Sequence, residues 1–232
     1  MVRNNIISAT NANRLYWLGR YEERVYLTLH LLRKCHDKMI DGEPDDYNTF
    51  WRKLDSSNSY TTREEFSFGM MFDDKNLSSV LSAQLAAQDN AMMLRGYIAT
   101  ETLAYLEMSI TLMRRLKEAR EMNITALQPV TDWSMAFWGN CGERITNRKV
   151  IVLMLAGRKL ENLDMFIRFD YDAERIMGTF NTLVTHLNEV PALYDNHVLE
   201  EIQNMLASYT ENCYKTDYRD KLLKLINILV RV

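Results

Sequence analysis

Asn13-Arg14-Leu15-Tyr16-Trp17-Leu18-Gly19-Arg20-Tyr21-Glu22-Glu23-Arg24 is the stretch on which the fold turns. It contains no proline and consists mostly of good helix formers, so it reads as helix. At about 100° per residue, Asn13, Tyr16, Trp17, Arg20, Glu23 and Arg24 fall within roughly a third of the helical wheel. Leu18, Tyr21, Val25, Leu29 and Leu32 form a separate apolar stripe, with Glu22 at its edge. One helix therefore carries a core stripe and, beside it, a face on which arginine, glutamate and large aromatics are interleaved. Such a face packs against other protein rather than standing in water.

The pattern returns in weaker form. Gly19-Arg20-x-x-Glu23-Arg24 is echoed by Gly157-Arg158-x-x-Glu161-Asn162, again inside an apolar helical run. Glycine within a helix costs about 1 kcal/mol relative to alanine, so two at matching places need a reason. Close approach of two helix backbones supplies one, and coincidence in so short a match supplies the other. On the first reading the two segments are partner helices that meet near their glycines.

These residues also carry a family resemblance. Asn13 to Arg24 resembles the opening motif of the bacterial alpha-E domain family, in which a long first helix carries a tryptophan, then Gly-Arg-Tyr, then Glu-Arg. Asp74-Lys75-Asn76-Leu77-Ser78-Ser79-Val80-Leu81, running into Ala87-Gln88-Asp89-Asn90-Ala91 and then Arg95 and Thr100-Glu101, is similar to the family's central segment. There an Asn-x-x-Ser turn leads into an Ala-Arg-Glu-Asn-Ala helix. Gly157-Arg158-Lys159-Leu160-Glu161 resembles its third motif. The likeness spans residues 5 to 170, with four departures: Glu22 stands where the family has an aliphatic residue, Gln88 and Asn162 where it has arginine, and Asp89 where it has glutamate. The chain is thus identified as a divergent, stand-alone member of that family.

Composition bounds the function classes. At 232 residues the chain fits one large helical domain spanning residues 1–232. A net charge of −3 and a pI near 5.9 lack the basic surplus of a nucleic-acid binder. The three cysteines, Cys35, Cys141 and Cys213, are widely spaced and odd in number, which suits reduced thiols in the cytoplasm. Met1-Val2-Arg3-Asn4-Asn5 lacks the apolar core of a signal peptide, and the longest apolar run, Val150 to Ala156, is too short for a bilayer. A cytoplasmic protein without a membrane or nucleic-acid partner is expected.

Three prolines and eight glycines punctuate the chain, and no segment alternates like a strand, so the expected class is all-α. Helix one runs from Ser8 to Lys38, and Pro44 opens a short helix carrying Tyr47, Phe50, Trp51 and Leu54. After a Ser56–Tyr60 loop, Thr61-Thr62-Arg63-Glu64 has the form of a capping box, with Phe66 and Met70 inward. A long helical region then breaks near Ile98-Ala99-Thr100. There Thr100 is the expected cap of a helix from Glu101 to about Asn123 that turns Leu103, Leu106, Ile110 and Met113 inward. Thr131–Thr146, with Trp133, Phe137 and Trp138 buried, and Lys149–Phe169 follow. Helices near Asp172–Glu189, His197–Glu211 and Tyr218–Val230 close the chain.

The constellation with chemical interest is the set Arg20, Glu23, Arg24, Asp89, Asn90, Arg95, Glu101, Arg158 and Glu161. One reading is a polar pocket between long helices that grips an anionic peptide end or a phosphate, since arginine forks suit such groups. The other is a network of interhelical ion pairs that fixes helix register, and such networks imitate functional charge clusters. Di-metal bundles use Glu-x-x-His pairs, and none of His30, His36, His186 and His197 follows a glutamate at that spacing. No transition metal or other cofactor is therefore expected. No Gly-x-Ser-x-Gly elbow, Cys–His pairing or phosphate-cradling glycine loop occurs, so catalytic residues remain unassigned. Tyr16, Trp17, Tyr21, Tyr26, Trp51, Trp133 and Trp138 serve packing, with an exposed docking patch as the alternative.

The resemblance implies a setting that the residues themselves do not. Alpha-E domains occur fused to, or encoded beside, circularly permuted ATP-grasp ligases, often with transglutaminase-like proteins. The expected role is a helical binding or accessory module that docks on such a ligase, or presents its peptide substrate, in peptide or amide-bond formation or modification. The alternatives are an enzyme of the same pathway using the carboxylate–arginine pocket, and a structural homo-oligomer with the motif face as interface. One substitution separates a structural from a ligand-lining Glu23. Glu23→Gln removes charge at constant shape, and loss of a buried ion pair should lower stability by about 3 kcal/mol or more. Glu22→Leu, the control, should be neutral or stabilising if that position is buried. Denaturant midpoints of both variants decide, and an unchanged Glu23→Gln midpoint contradicts the structural reading.

Overall fold

The computed structural model describes residues 7–41, 46–54 and 60–231. Within them lie α1 (Ala9–Ile40), α2 (Asp46–Lys53), α3 (Arg63–Phe72), α4 (Val80–Met93), α5 (Thr100–Ala119) and α6 (Gln128–Arg144). They are followed by α7 (Arg148–Arg168), α8 (Ala173–Asn188), α9 (Asn196–Ala207), α10 (Tyr209–Asn212) and α11 (Thr216–Ile228). Short 3-10 turns at Ile124–Leu127 and Pro191–Leu193 complete the inventory, and among the described residues there is no strand beyond a single bridge between Tyr194 and Val230. The protein is all-α, as its sequence implies. No described helix is long and apolar enough to cross a membrane.

Several boundaries differ from the sequence expectation for local reasons. The capping box sits one residue later: Thr62 is the N-cap, its hydroxyl accepts from Glu65 N, and Glu65 reaches back to Thr61 N at 3.0 Å. Thr100 does not cap α5. It is the first helical residue, and Ala99 occupies the cap position in extended conformation without a side-chain bond. That helix ends at Ala119 because Arg120 turns left-handed at φ 51°, bonding back to Leu116 and Lys117 carbonyls. Phe137 and Trp138 are buried, but Trp133 is only half-buried. Pro44 and Ser56–Ser59 lie outside the described residues.

The chain divides into two compact units, one comprising the residues up to Arg20 and those from Asn147 on, the other Tyr21–Thr146. In the second unit, α5 packs on α4 and α6, and α3 packs on α4 and α5. Its interior takes Val25, Leu29 and Leu32 from α1 and Phe66 and Met70 from α3. Leu103, Leu106, Ile110 and Met113 come from α5 and Phe137 from α6. The ring of Phe66 meets those of Phe50, Tyr60 and Tyr47 at centroid distances of 5.5, 5.6 and 5.7 Å, which ties α2 and the Tyr60 segment onto α3.

In the first unit the centre is α7. Asn147 caps it by accepting from Lys149 N, and every residue from Leu160 to Ile167 is buried, polar ones included. It packs against α8 and α11, and α11 against α9. Arg219 of α11 donates to the last carbonyls of α7, those of Ile167 and Arg168, at 3.0 and 3.1 Å, where a cation also complements the helix dipole.

The glycines of the repeated motif settle how α1 meets α7. A Cβ built on Gly19 would lie 2.1 Å from the Met154 carbonyl oxygen, and one on Gly157 would lie 2.0 Å from that of Tyr16. Both obstacles are backbone, which cannot rotate aside. Reciprocal clashes of this kind mean that the two helices touch backbone to backbone, so the matched glycines mark a helix crossing. By contrast, a Cβ on Gly178 inside α8 meets nothing within 4 Å. Gly157→Ala should therefore lower stability by about 3 kcal/mol or more, whereas Gly178→Ala should raise it by up to about 1 kcal/mol. Denaturant titrations of the two variants check both signs; a well-tolerated Gly157→Ala contradicts the backbone contact.

Candidate functional site

The glycine crossing brings one pair of the candidate residues together. Arg20 follows Gly19 by one position and Glu161 follows Gly157 by four, one helical turn. Across the crossing, Arg20 Nε donates to Glu161 Oε2 at 2.7 Å, with side-chain exposures of 4% and 1%. The Arg20 guanidinium also lies over the Trp17 ring at 5.1 Å, and that ring meets Tyr16 edge-on at 5.5 Å. The aromatic–arginine–glutamate interleaving of the motif face thus has a concrete purpose: it builds a dry, internally neutralised joint.

The joint extends into residues that the motif did not reveal. Arg20 Nη1 donates to Asn227 Oδ1 at 3.4 Å, and Asn227 Nδ2 faces Asp164 Oδ1 at 3.5 Å. Asp164 in turn accepts from Arg168 Nε at 2.7 Å, one helical turn along α7. Glu161, Asp164 and Arg168 stand at i, i+3 and i+7 and so share a face of α7, and Asn227 joins them from α11. Two guanidinium groups and two carboxylates balance. Burial works against the charge on Arg20, but Glu161, with Tyr16 and Asp164 adding, outweighs it and holds the guanidinium above its usual range. The i, i+4 spacing of Asp164 and Arg168 is an ordinary helical ion-pair signal that the motif reading did not use, whereas Asn227, a lone amide in an apolar run, carries no local signal.

The other candidates are placed as follows. Arg158 is half-buried on α7, and its carbonyl accepts from Asn162 Nδ2 at 2.8 Å. In the Tyr21–Thr146 unit, Glu23 is buried at 3% exposure, and the Arg24 guanidinium lies 5.6 Å over the Tyr21 ring. Asn90 is half-buried and donates to the Ala86 carbonyl one turn back at 2.9 Å. Asp89, Arg95 and Glu101 are exposed, and Arg95 Nε bonds the Met92 carbonyl of its own turn at 3.0 Å. Among the described residues, no three His, Cys, Asp or Glu side chains gather as a metal would require.

Glu22, at the edge of the apolar stripe, is buried more completely than Arg20 or Glu23, at 1% against 3% exposure. Gln84 Nε2 of α4 donates to its Oε2 at 3.3 Å, and Ser134 of α6 lies against the same residue, its hydroxyl 3.5 Å from the Glu22 carbonyl oxygen. Burial pushes the Glu22 carboxyl up to about 7, with Ser134 and Gln84 opposing the shift and Glu23 adding to it.

Comparison with known proteins bears on the chain as a whole. The Alpha-E family model, described as a predicted alpha-helical domain with a conserved ER motif, matches residues 8–224. No curated protein and no solved structure matches the chain.

The chemistry open to the Arg20 joint is limited by its dryness. Its charges are neutralised within the protein and positioned to fix α1 against α7. Glu161→Gln keeps the shape but strands the buried guanidinium, and should cost about 3–5 kcal/mol of stability. Equilibrium denaturation measures the loss; a variant as stable as the parent would show that the pair does not hold the helices.

Proposed function

Because the chain belongs to the Alpha-E family, we propose that it is a helical binding module that acts with an ATP-grasp-type ligase in peptide or amide-bond formation or modification. The observation that carries this reading is the match of one family model over residues 8–224. The sequence resemblance associates alpha-E domains with circularly permuted ATP-grasp ligases, whether fused to them or encoded beside them. In such a pairing the ligase supplies nucleotide binding and bond formation, and the helical module supplies a docking or presenting surface.

The buried joint favours binding over catalysis. Arg20 and Glu161 are 3% and 1% exposed and satisfy each other, so a substrate would have to displace a charge-assisted bond to reach either. Residues so engaged build a scaffold. Recognition then falls to side chains at the surface, among which Asp89, Arg95 and Glu101 are exposed.

Co-expression of the full chain with an ATP-grasp ligase from the same host tests the proposal. The expected outcome is a complex that survives size-exclusion chromatography and ligase turnover that depends on this chain. Recovery of the chain as a homo-oligomer without the ligase, and with ligase turnover unchanged, would overturn the proposal in favour of a structural oligomer.

A further inference from the structure

Three helices of the Tyr21–Thr146 unit converge on a single carboxyl group that no role described so far uses. Glu22 from α1, Gln84 from α4 and Ser134 from α6 are 1%, 0% and 1% exposed. The groups acting on the Glu22 carboxyl are Ser134, Gln84 and Glu23. Of these the first two are neutral and the third is an acid on the same helix, so among the described residues no cation acts on it. The site differs in kind from the Arg20 joint, where every buried charge has a counter-charge.

Gln84 supplies the second observation. Its Nε2 donates to Glu22 Oε2 at 3.3 Å, yet its Oε1, on the same amide and also shielded from water, has no hydrogen-bond donor among the described residues. An orphaned buried carbonyl costs about 1–3 kcal/mol, and native proteins seldom leave one. An ionised carboxylate cannot repair it, because it only accepts. A carboxylic acid can, because its O–H is a donor.

We infer that Glu22 is a proton-binding site: the native protein holds it as the neutral acid, which accepts from Gln84 Nε2 through one oxygen and donates its proton to Gln84 Oε1 through the other. The acid and the amide then form a closed two-bond pair in which both polar groups are satisfied and no charge is buried. Removing the proton breaks one bond, orphans Oε1 and leaves an uncompensated carboxylate beside Glu23. The Tyr21–Thr146 unit, which contains the Glu23-Arg24 motif, is thereby linked to pH.

The sign follows from proton linkage. The carboxyl is raised from 4.5 to about 7 in the folded chain, so between those values the native state holds a proton that the unfolded state has lost. Stability from this source is fully present below about pH 4.5, declines as pH rises, and is gone above about 7. At tenfold per pKa unit, the shift corresponds to roughly a 300-fold change in the unfolding equilibrium constant.

Two measurements on the full chain test the inference. The first is a carbon-13 NMR titration of the Glu22 side-chain carboxyl, assigned through its own backbone, with an expected midpoint near 7. The second compares denaturant unfolding of wild type and Glu22→Gln at about pH 5.5 and about pH 8. Glutamine can form the same two-bond pair with Gln84 but binds no titrating proton. The variant should gain on wild type by about thirtyfold between the two pH values, the tenfold-per-unit loss that wild type undergoes from about pH 5.5 to about 7. A Glu22 midpoint in the ordinary range near 4.3, or a Glu22→Gln variant that keeps the full wild-type pH slope, overturns the proton site. The NMR titration decides alone if the variant does not fold.

Discussion

The approach of α1 to α7 at Gly19 and Gly157 is the constraint on which the rest of the first unit depends. With carbonyl oxygens of Met154 and Tyr16 about 2 Å from where each Cβ would stand, the two backbones are in direct contact. That closeness is what allows Arg20 and Glu161 to meet at 2.7 Å with almost no exposure. A wider crossing would admit water and turn the pair into an ordinary surface bridge of little energetic weight. Glycine and ion pair are therefore a single device. The small residue sets the distance, and the charges, confined to one geometry, set the register.

The network around that pair shows how buried charge is kept tolerable. Isolated burial of a guanidinium is severely unfavourable, and one carboxylate offsets only part of it. Here the remaining capacity is met by the face of Trp17 and by Asn227, while Asp164 is neutralised by Arg168. The arrangement uses α11 as well as α7, and Arg219 strengthens the same contact through the terminal carbonyls of α7. The charges of Arg20, Glu161, Asp164 and Arg168 pair within the crossing, and with Asn227 they link three helices.

Much of this was legible from local pattern. Helix periodicity located the long helices within a few residues, and the repeated Gly-Arg-x-x-Glu spacing pointed to a crossing of the segments at Gly19 and Gly157. The family follows from the same motif, as the match over residues 8–224 bears out. What stayed hidden was long-range or a matter of one-residue register. Asn227 lies more than two hundred positions from Arg20, and nothing local in its apolar run marks it as a partner. Thr61 and Thr62 are equivalent as caps until the backbone places Thr62 at the extended position. Trp133 and Phe137 sit one turn apart on α6, yet only Phe137 faces the core fully; periodicity gives the face but not its edges.

Arg20 and Glu22 stand two residues apart on one helix and illustrate two opposite answers to burial. Arginine cannot shed its proton in a folded protein, so its charge must be matched, and the surrounding carboxylates and amide do so. Glutamate can take up a proton, so it needs no counter-charge, only a partner able to both donate and accept. Gln84 is such a partner, and a lysine or arginine there would have produced a conventional ion pair insensitive to neutral pH. An aliphatic residue at this position would need neither solution. Replacing it by glutamate adds nothing to packing that leucine would not supply, and it makes the burial conditional on a proton. A buried acid of this kind changes when the core is stable rather than how it is shaped, which is why the fold could be read from local pattern while the proton site could not.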